Sequence, residues 1–323
     1  MKQTLFTLLL ISIVISITSC RKDKAMPSIK EYDNQQILSY ISANGLSDMQ
    51  RDTVGGDTSG IYYKILQQGT GGTIDYPDSV TFSYTIKSFD GKYNNTDTVT
   101  DHYCGLFGHT SPGGLQLALH DLIKHKGTKI RLLLPSHLAY GLAGAGSGSS
   151  SVVNGRIAGN QCLDYTIYII PDQTVYDDQV IQNYITANNL SGYTKLTTGP
   201  AAGMYYKITV PPTGANAIDI NSEVIAYYTG QLMDNSYFTD VNAPTPIAPA
   251  TTTVTGSFTD LSALTTGFRV GLLTLGKGGG SISMLIPSGL AYGNTSFTGD
   301  AGTVPAAAVL RFDVQVTDVV NAN

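Results

Sequence analysis

Nucleophilic and metal chemistry have little to draw on in this chain. Its five histidines and three cysteines are scattered, and no Cys/His/carboxylate group has the spacing of a ligand set, so the sequence predicts neither a metal nor a cofactor. No Ser/His/Asp constellation stands out. Two thiols, Cys104 and Cys162, lie in the first half, and they can bridge only if their Cα atoms come within about 7 Å, which spacing alone leaves open. Tyr outnumbers Phe twenty to nine, Trp is absent, and charged residues are 13% of the sequence. With abundant Gly, this is the composition of a β-rich, loop-rich exported protein. The formal charge of -5 comes without a basic cluster beyond Arg21-Lys22-Asp23-Lys24, so nothing is positioned to neutralise phosphates and no nucleic-acid partner is expected.

The third thiol has a different context. Lys2 precedes an apolar run from Leu5 to about Ile17, which ends in Thr18-Ser19-Cys20. The run is too short to span a bilayer and reads as a signal peptide. A Cys directly after small residues resembles a bacterial lipobox, which implies a diacylglycerol on the Cys20 thiol and cleavage before it. Acyl chains then supply anchoring at about 0.8 kcal/mol per buried methylene. The expected location is the cell envelope, on the outer membrane, with the membrane as a partner through the lipid.

The elements that position the remaining side chains come in two copies, since segments of the first half recur 143 to 153 residues later in the same order. Gln36 to Leu46 returns as Val180 to Leu190, apolar at helical spacing. Gly60-Ile61-Tyr62-Tyr63-Lys64-Ile65 returns as Gly203-Met204-Tyr205-Tyr206-Lys207-Ile208, an alternating opening strand. Leu115, Leu119 and Leu122 match Phe268, Leu272 and Leu275, the apolar face of one helix. Pro135-Ser136-His137-Leu138-Ala139-Tyr140-Gly141 returns as Pro287-Ser288-Gly289-Leu290-Ala291-Tyr292-Gly293. The order of elements predicts an α+β chain of two domains, each an antiparallel β-sheet packed on one α-helix and preceded by a short helix. The expected boundaries are a signal peptide over 1–20, a tether over 21–30, a first domain with its leading helix over 31–172, a linker and helix over 173–199, and a second domain over 200–323.

In the second copy, Pro287 to Gly293 after the strand Ser281 to Ile286, the segment Tyr227-Tyr228-Thr229-Gly230-Gln231-Leu232, the pair Tyr237-Phe238, and Val304-Pro305 followed by Val309 to Val314 resemble the FKBP-type peptidyl-prolyl cis-trans isomerases in order and spacing. The resemblance implies a shallow apolar pocket between helix and sheet. Its catalytic residues would be Tyr228, Phe238, Phe268, Tyr292 and Phe312, with Leu264, Thr265, Val304 and Asp240 binding substrate. The backbone NH near Thr265 and the Tyr292 hydroxyl would be donors to the peptide. Two departures stand out: Phe268 replaces the family's Trp, and the Phe-Asp pair becomes Phe238-Thr239-Asp240. A one-residue shift in a strand sends the carboxylate to the opposite face unless a bulge intervenes.

The first copy matches less closely. Tyr84, Tyr93, Leu115, Tyr140, Ile157 and Tyr165 take its pocket positions, but Leu115 stands for the indole floor, Tyr93-Asn94 for Phe-Asp, and Ile86 for the Gly of Tyr-Thr-Gly. Its extended flap from Ala143 to Ser151 is expected to order the pocket poorly, which suggests a degenerate, structural or binding domain.

An amide twists over a barrier of about 18–20 kcal/mol set by resonance, and X-Pro bonds alone populate both isomers appreciably. An aromatic pocket that receives the less polar twisted form needs no nucleophile. The resemblance therefore implies an isomerase that assists the folding of exported proteins and takes proline-containing polypeptides, mainly through its second domain. The competing expectations are a non-catalytic pair of polypeptide-binding modules and a glycan-binding surface lipoprotein.

Overall fold

Each copy of the repeat begins with a helix whose start is written in its cap. In the computed structural model, which describes residues 27–54, 59–95, 102–247 and 261–321, α1 spans Ile29–Ala43. The Ser28 hydroxyl accepts from the Glu31 backbone N–H while the Glu31 carboxylate accepts from that of Ser28, a reciprocal box that satisfies two otherwise orphaned donors. The signal peptide, Cys20 and most of the tether lie outside the described residues. Among the described residues no helix is long and apolar enough to cross a membrane.

The first sheet takes β1 (Gln50–Arg51), β2 (Tyr62–Gln67), β3 (Ser79–Ser88), β4 (Asn94–Asn95), β5 (His102–Leu106), β6 (Lys129–Leu134) and β7 (Leu163–Ile169). Their order is β1-β2-β6-β7-β3-β4, with β5 also on β3, and every pairing is antiparallel. Strand alternation sends Ile130, Leu132 and Leu134 to one face, where they meet Leu115, Ala118 and Leu119 of α2 (Gly113–Leu122). Leu133 points the other way and joins Ile37 of α1 and Cys162. Helix α2 thus covers the inner face and α1 part of the outer one.

Helix α3 (Gln173–Ala187), N-capped by the Asp172 carboxylate, opens the second copy. Its sheet holds β8 (Thr194–Lys195), β9 (Tyr205–Val210), β10 (Glu223–Leu232), β11 (Tyr237–Ile247), β12 (Gly280–Ile286) and β15 (Leu310–Val320), while β13 (Phe297–Thr298) and β14 (Thr303–Val304) form a separate ribbon. The order β11-β10-β15-β12-β9-β8, read from β8, repeats that of the first sheet, with the single long strand β11 where the first sheet has β4 and β5 beside β3. Helix α4 (Thr266–Leu275) lies close to this sheet because two glycines face it: a Cβ on Gly267 would stand 2.3 Å from Ile286 Cγ2, and one on Gly271 would strike Met284 Sδ. Ile181 and Tyr184 of α3 pack on Leu285 and Val309 of the outer face.

Two α+β domains of the expected architecture are therefore present, and each leading helix docks on the back of its own sheet. Helix α3 also touches the domain before it: the Tyr176 hydroxyl is 3.1 Å from His102 Nε2, and the Tyr176 ring lies 6.5 Å from that of Tyr168 on β7. Cys104 and Cys162 are both free thiols. Cys104, on β5, lies beside Thr81 of β3, and Cys162 is buried beside Asp33.

Candidate functional site

In the second domain the site is assembled around the first turn of α4. Phe268 points down from that turn onto Phe312 of the central strand β15, with ring centroids 4.8 Å apart at 77°. Phe312 in turn meets Phe238 edge-on at 5.4 Å, and Tyr228 of β10 meets Phe268 edge-on at 6.0 Å. Perpendicular pairs of this kind suit the ring quadrupoles and fix each ring against its neighbour. Val304, Leu264 and Tyr292 belong to the same cluster, and Thr265 is the N-cap of α4. The structure thus brings all five expected aromatics into one continuous patch, whose floor is buried and whose rim, Tyr228, Leu264, Thr265 and Tyr292, is half-buried.

The glycine of Tyr-Thr-Gly has a specific task here. A Cβ on Gly230 would stand 2.5 Å from Phe238 Cζ, so the ring lies directly over a residue that has no side chain. The ring reaches that place through a bulge: Gly230 pairs with Thr239 and Gln231 with Tyr237, leaving Phe238 unpaired between them.

After the bulge, Thr239 comes to the Tyr228 side, and its hydroxyl hydrogen-bonds the Tyr228 phenol. Asp240, expected among the substrate-binding residues, is instead exposed and pairs with Thr229. It lines a shallow concavity on the outer face of the sheet with Tyr227, Ser281, Asp313 and Gln315. The bulge falls before Thr239, so the ordinary alternation that resumes there carries the carboxylate away from the aromatic patch.

Burial pushes the Tyr292 phenol up to about 12, helped by the nearby Tyr228. Burial also raises Tyr228, with the Asp300 carboxylate adding to the shift and the Thr239 hydrogen bond opposing it. Both phenols stay protonated at neutral pH and remain donors. Phe297, which sequence reasoning missed, stacks on Tyr292 at 4.2 Å and 5°. Its place on a two-residue ribbon leaves too short a run for an alternation signal.

In both domains a buried carboxylate of the leading helix holds the turn that ends in the repeated tyrosine, Tyr140 or Tyr292. Asp177 Oδ2 accepts from the Ser288 N–H at 2.8 Å and from its hydroxyl at 2.7 Å, and Gln173 donates to the other oxygen. Asp33 accepts from the Ser136 hydroxyl at 2.7 Å and from the His137 N–H at 3.0 Å, with His137 Nδ1 2.7 Å away. The signal that could have found them was present: Asp33 and Asp177 occupy the same place in the helix repeat, and the serine is retained in both turns.

The first domain holds a partly open cavity of about 350 Å³. All six residues expected there, Tyr84, Tyr93, Leu115, Tyr140, Ile157 and Tyr165, line it. The extended flap does not leave it disordered: Ala145 and Ile157 form a β-bridge, and Arg156 Nη2 donates to the Ala143 carbonyl at 2.6 Å. These contacts seat Ala145, Gly146 and Ser147 in the cavity wall. Ile86, at the position of Gly230, is buried in the same wall. Tyr165, where the second domain has Phe312, is 2% exposed, and its phenol is raised by burial while sharing a hydrogen bond with Tyr140. Among the described residues no cluster of His, Cys, Asp and Glu is placed to hold a metal ion.

No family model matches the chain, and no curated protein matches it. Among solved structures it is similar to the three FKBP domains of wheat FKBP73, at 20% identity over 85% of this chain and 99% of that one, with a TM-score of 0.33. It is also similar to FkpA from Escherichia coli, at 24% identity over 47% of this chain and 64% of that one, TM-score 0.34. A peptidyl-prolyl cis-trans isomerase from Pseudomonas syringae is similar at 22% identity over 45% of this chain and 95% of that one, TM-score 0.34. At such values these are likenesses of fold, and the chemistry of the site rests on its own residues.

Proposed function

We propose that this chain is a peptidyl-prolyl cis-trans isomerase of the cell envelope, anchored through a lipid on Cys20, that assists the folding of exported proteins. The observation that carries the reading is the cluster in which Phe238 and Phe268 each meet Phe312 edge-on, edged by the Tyr228 and Tyr292 phenols. An X-Pro amide loses resonance as it twists, and its carbonyl becomes less polar. A rigid apolar floor favours that form over the planar one. Donors at the rim, the Tyr292 hydroxyl and the N–H groups at the start of α4, hold the flanking peptide without competing for the twisted bond.

The second domain carries the isomerisation in this reading, and the first, with its phenol-lined cavity, binds polypeptide. One observation favours a purely binding role for both: the carboxylate that the family resemblance implies in the pocket is Thr239 here, and Asp240 faces the other way.

The test is prolyl isomerisation by fragments 174–323 and 30–172, each checked for folding. The proposal expects measurable turnover from the second fragment of the chain and much less from the first. Absence of turnover in both, with proline peptides still bound, establishes the binding reading instead.

A further inference from the structure

We propose that the first-domain cavity recognises a proline segment that carries a carboxylate, an acidic side chain beside the proline, with Arg156 as the residue that selects it. This rests on the reading of that domain as a polypeptide-binding module and adds the chemistry of its ligand.

Arg156 lines the cavity. Its Nη2 is tied to the Ala143 carbonyl across the flap, which fixes the guanidinium. The cavity wall contains no Asp or Glu, and among the described residues no ion pair involves Arg156. A guanidinium in the cavity wall with no acidic partner suits a carboxylate brought in by a ligand, since charge-assisted bonds to a guanidinium are stronger and more directional than neutral ones.

The rest of the wall agrees with that ligand. Tyr165 stands where the second domain has Phe312, Tyr93 adds another phenol, and Ser111, Ser147 and Asn154 add further polar groups. The position of Arg156 in the second copy is Thr303. The two domains therefore present unlike surfaces, one apolar and one phenolic with a fixed cation, and they sort proline segments by the residue next to the proline.

The experiment titrates the full chain with three capped peptides that differ only before the proline, Glu-Pro, Gln-Pro and Leu-Pro. Glu-Pro is expected to bind about tenfold more tightly than its neutral isostere Gln-Pro, with the difference shrinking as salt is raised. Arg156→Gln should abolish the preference, and Arg156→Lys, which keeps the charge but loses the planar guanidinium fork, should retain part of it. The readout is affinity and not turnover, so loss of the Glu-Pro preference and absence of isomerisation are separate outcomes. Equal affinity for Glu-Pro and Gln-Pro, or a preference that survives in Arg156→Gln, overturns it. So does saturation by free N-acetylglutamate at the affinity of the Glu-Pro peptide, which would make the ligand a small acid.

Discussion

Asp177 and Ser288 lie 111 residues apart in the chain, yet one carboxylate oxygen of the former accepts both the backbone and the side-chain proton of the latter. This clasp joins a helix on the back of the sheet to the turn that delivers Tyr292 at its front.

The clasp has a pH signature. Burial raises the Asp177 carboxyl above its ordinary value of 3.8, although the bonds from Ser288 and Gln173 oppose the rise. A raised carboxyl binds its proton more tightly in the folded state than in the unfolded one. Its contribution is therefore fully present below the unfolded value and is lost as pH rises through the folded one. The Tm of the parent minus that of Asp177→Asn should be larger at pH 4 than at pH 7. A difference that is flat or grows with pH contradicts this assignment.

Gly230→Ala should cost about 1–3 kcal/mol in denaturant unfolding, because its methyl group would overlap the Phe238 ring. The same change should weaken binding of proline peptides to the second domain, since the ring can stay only if the bulge moves. An unaltered melting curve would mean that the close approach is not maintained in solution.

Removing Phe238 itself opens the wall of the site. Phe238→Ala is expected to lower kcat/KM for a proline peptide, with folding checked in parallel because truncating a buried Phe costs about 3–5 kcal/mol. Introducing the residues of the family that the second copy resembles, Phe268→Trp with Thr239→Asp, should raise turnover. A folded Phe238→Ala variant that isomerises as fast as the parent removes that residue from the site.

Cys20→Ala should abolish incorporation of labelled fatty acid and release the protein from membranes. Continued labelling of this variant would place the lipid elsewhere.

Much of this arrangement could be read from residue order because it is local or repeated. The apolar i, i+4, i+7 face of Phe268, Leu272 and Leu275 defines α4 whatever it packs against, and the doubled Tyr-Tyr-Lys-Ile segment marks β9 as it marks β2. The side of the sheet taken by Asp240 was not legible, since parity along a strand depends on where a bulge resets the count. The clasps of Asp33 and Asp177 were hidden for another reason: a buried polar contact between distant segments leaves no periodicity, only a residue retained twice. The flap of the first domain read as loose from its glycine and serine content, but composition is silent about the bridge between Ala145 and Ile157 and the anchor of Arg156.

Helix α3 opens the second domain while its Tyr176 rests against His102 and Tyr168 of the first. The two repeats therefore share a structural element, and cutting the chain before it takes a partner from one to give a leader to the other. Thermodynamically they are linked: unfolding the second domain frees α3 and strips the first of a contact, so the intact chain should melt at a higher temperature on its first-domain signal than fragment 30–172 does alone. A ligand that tightens one pocket would then be felt, through that helix, in the stability of the other.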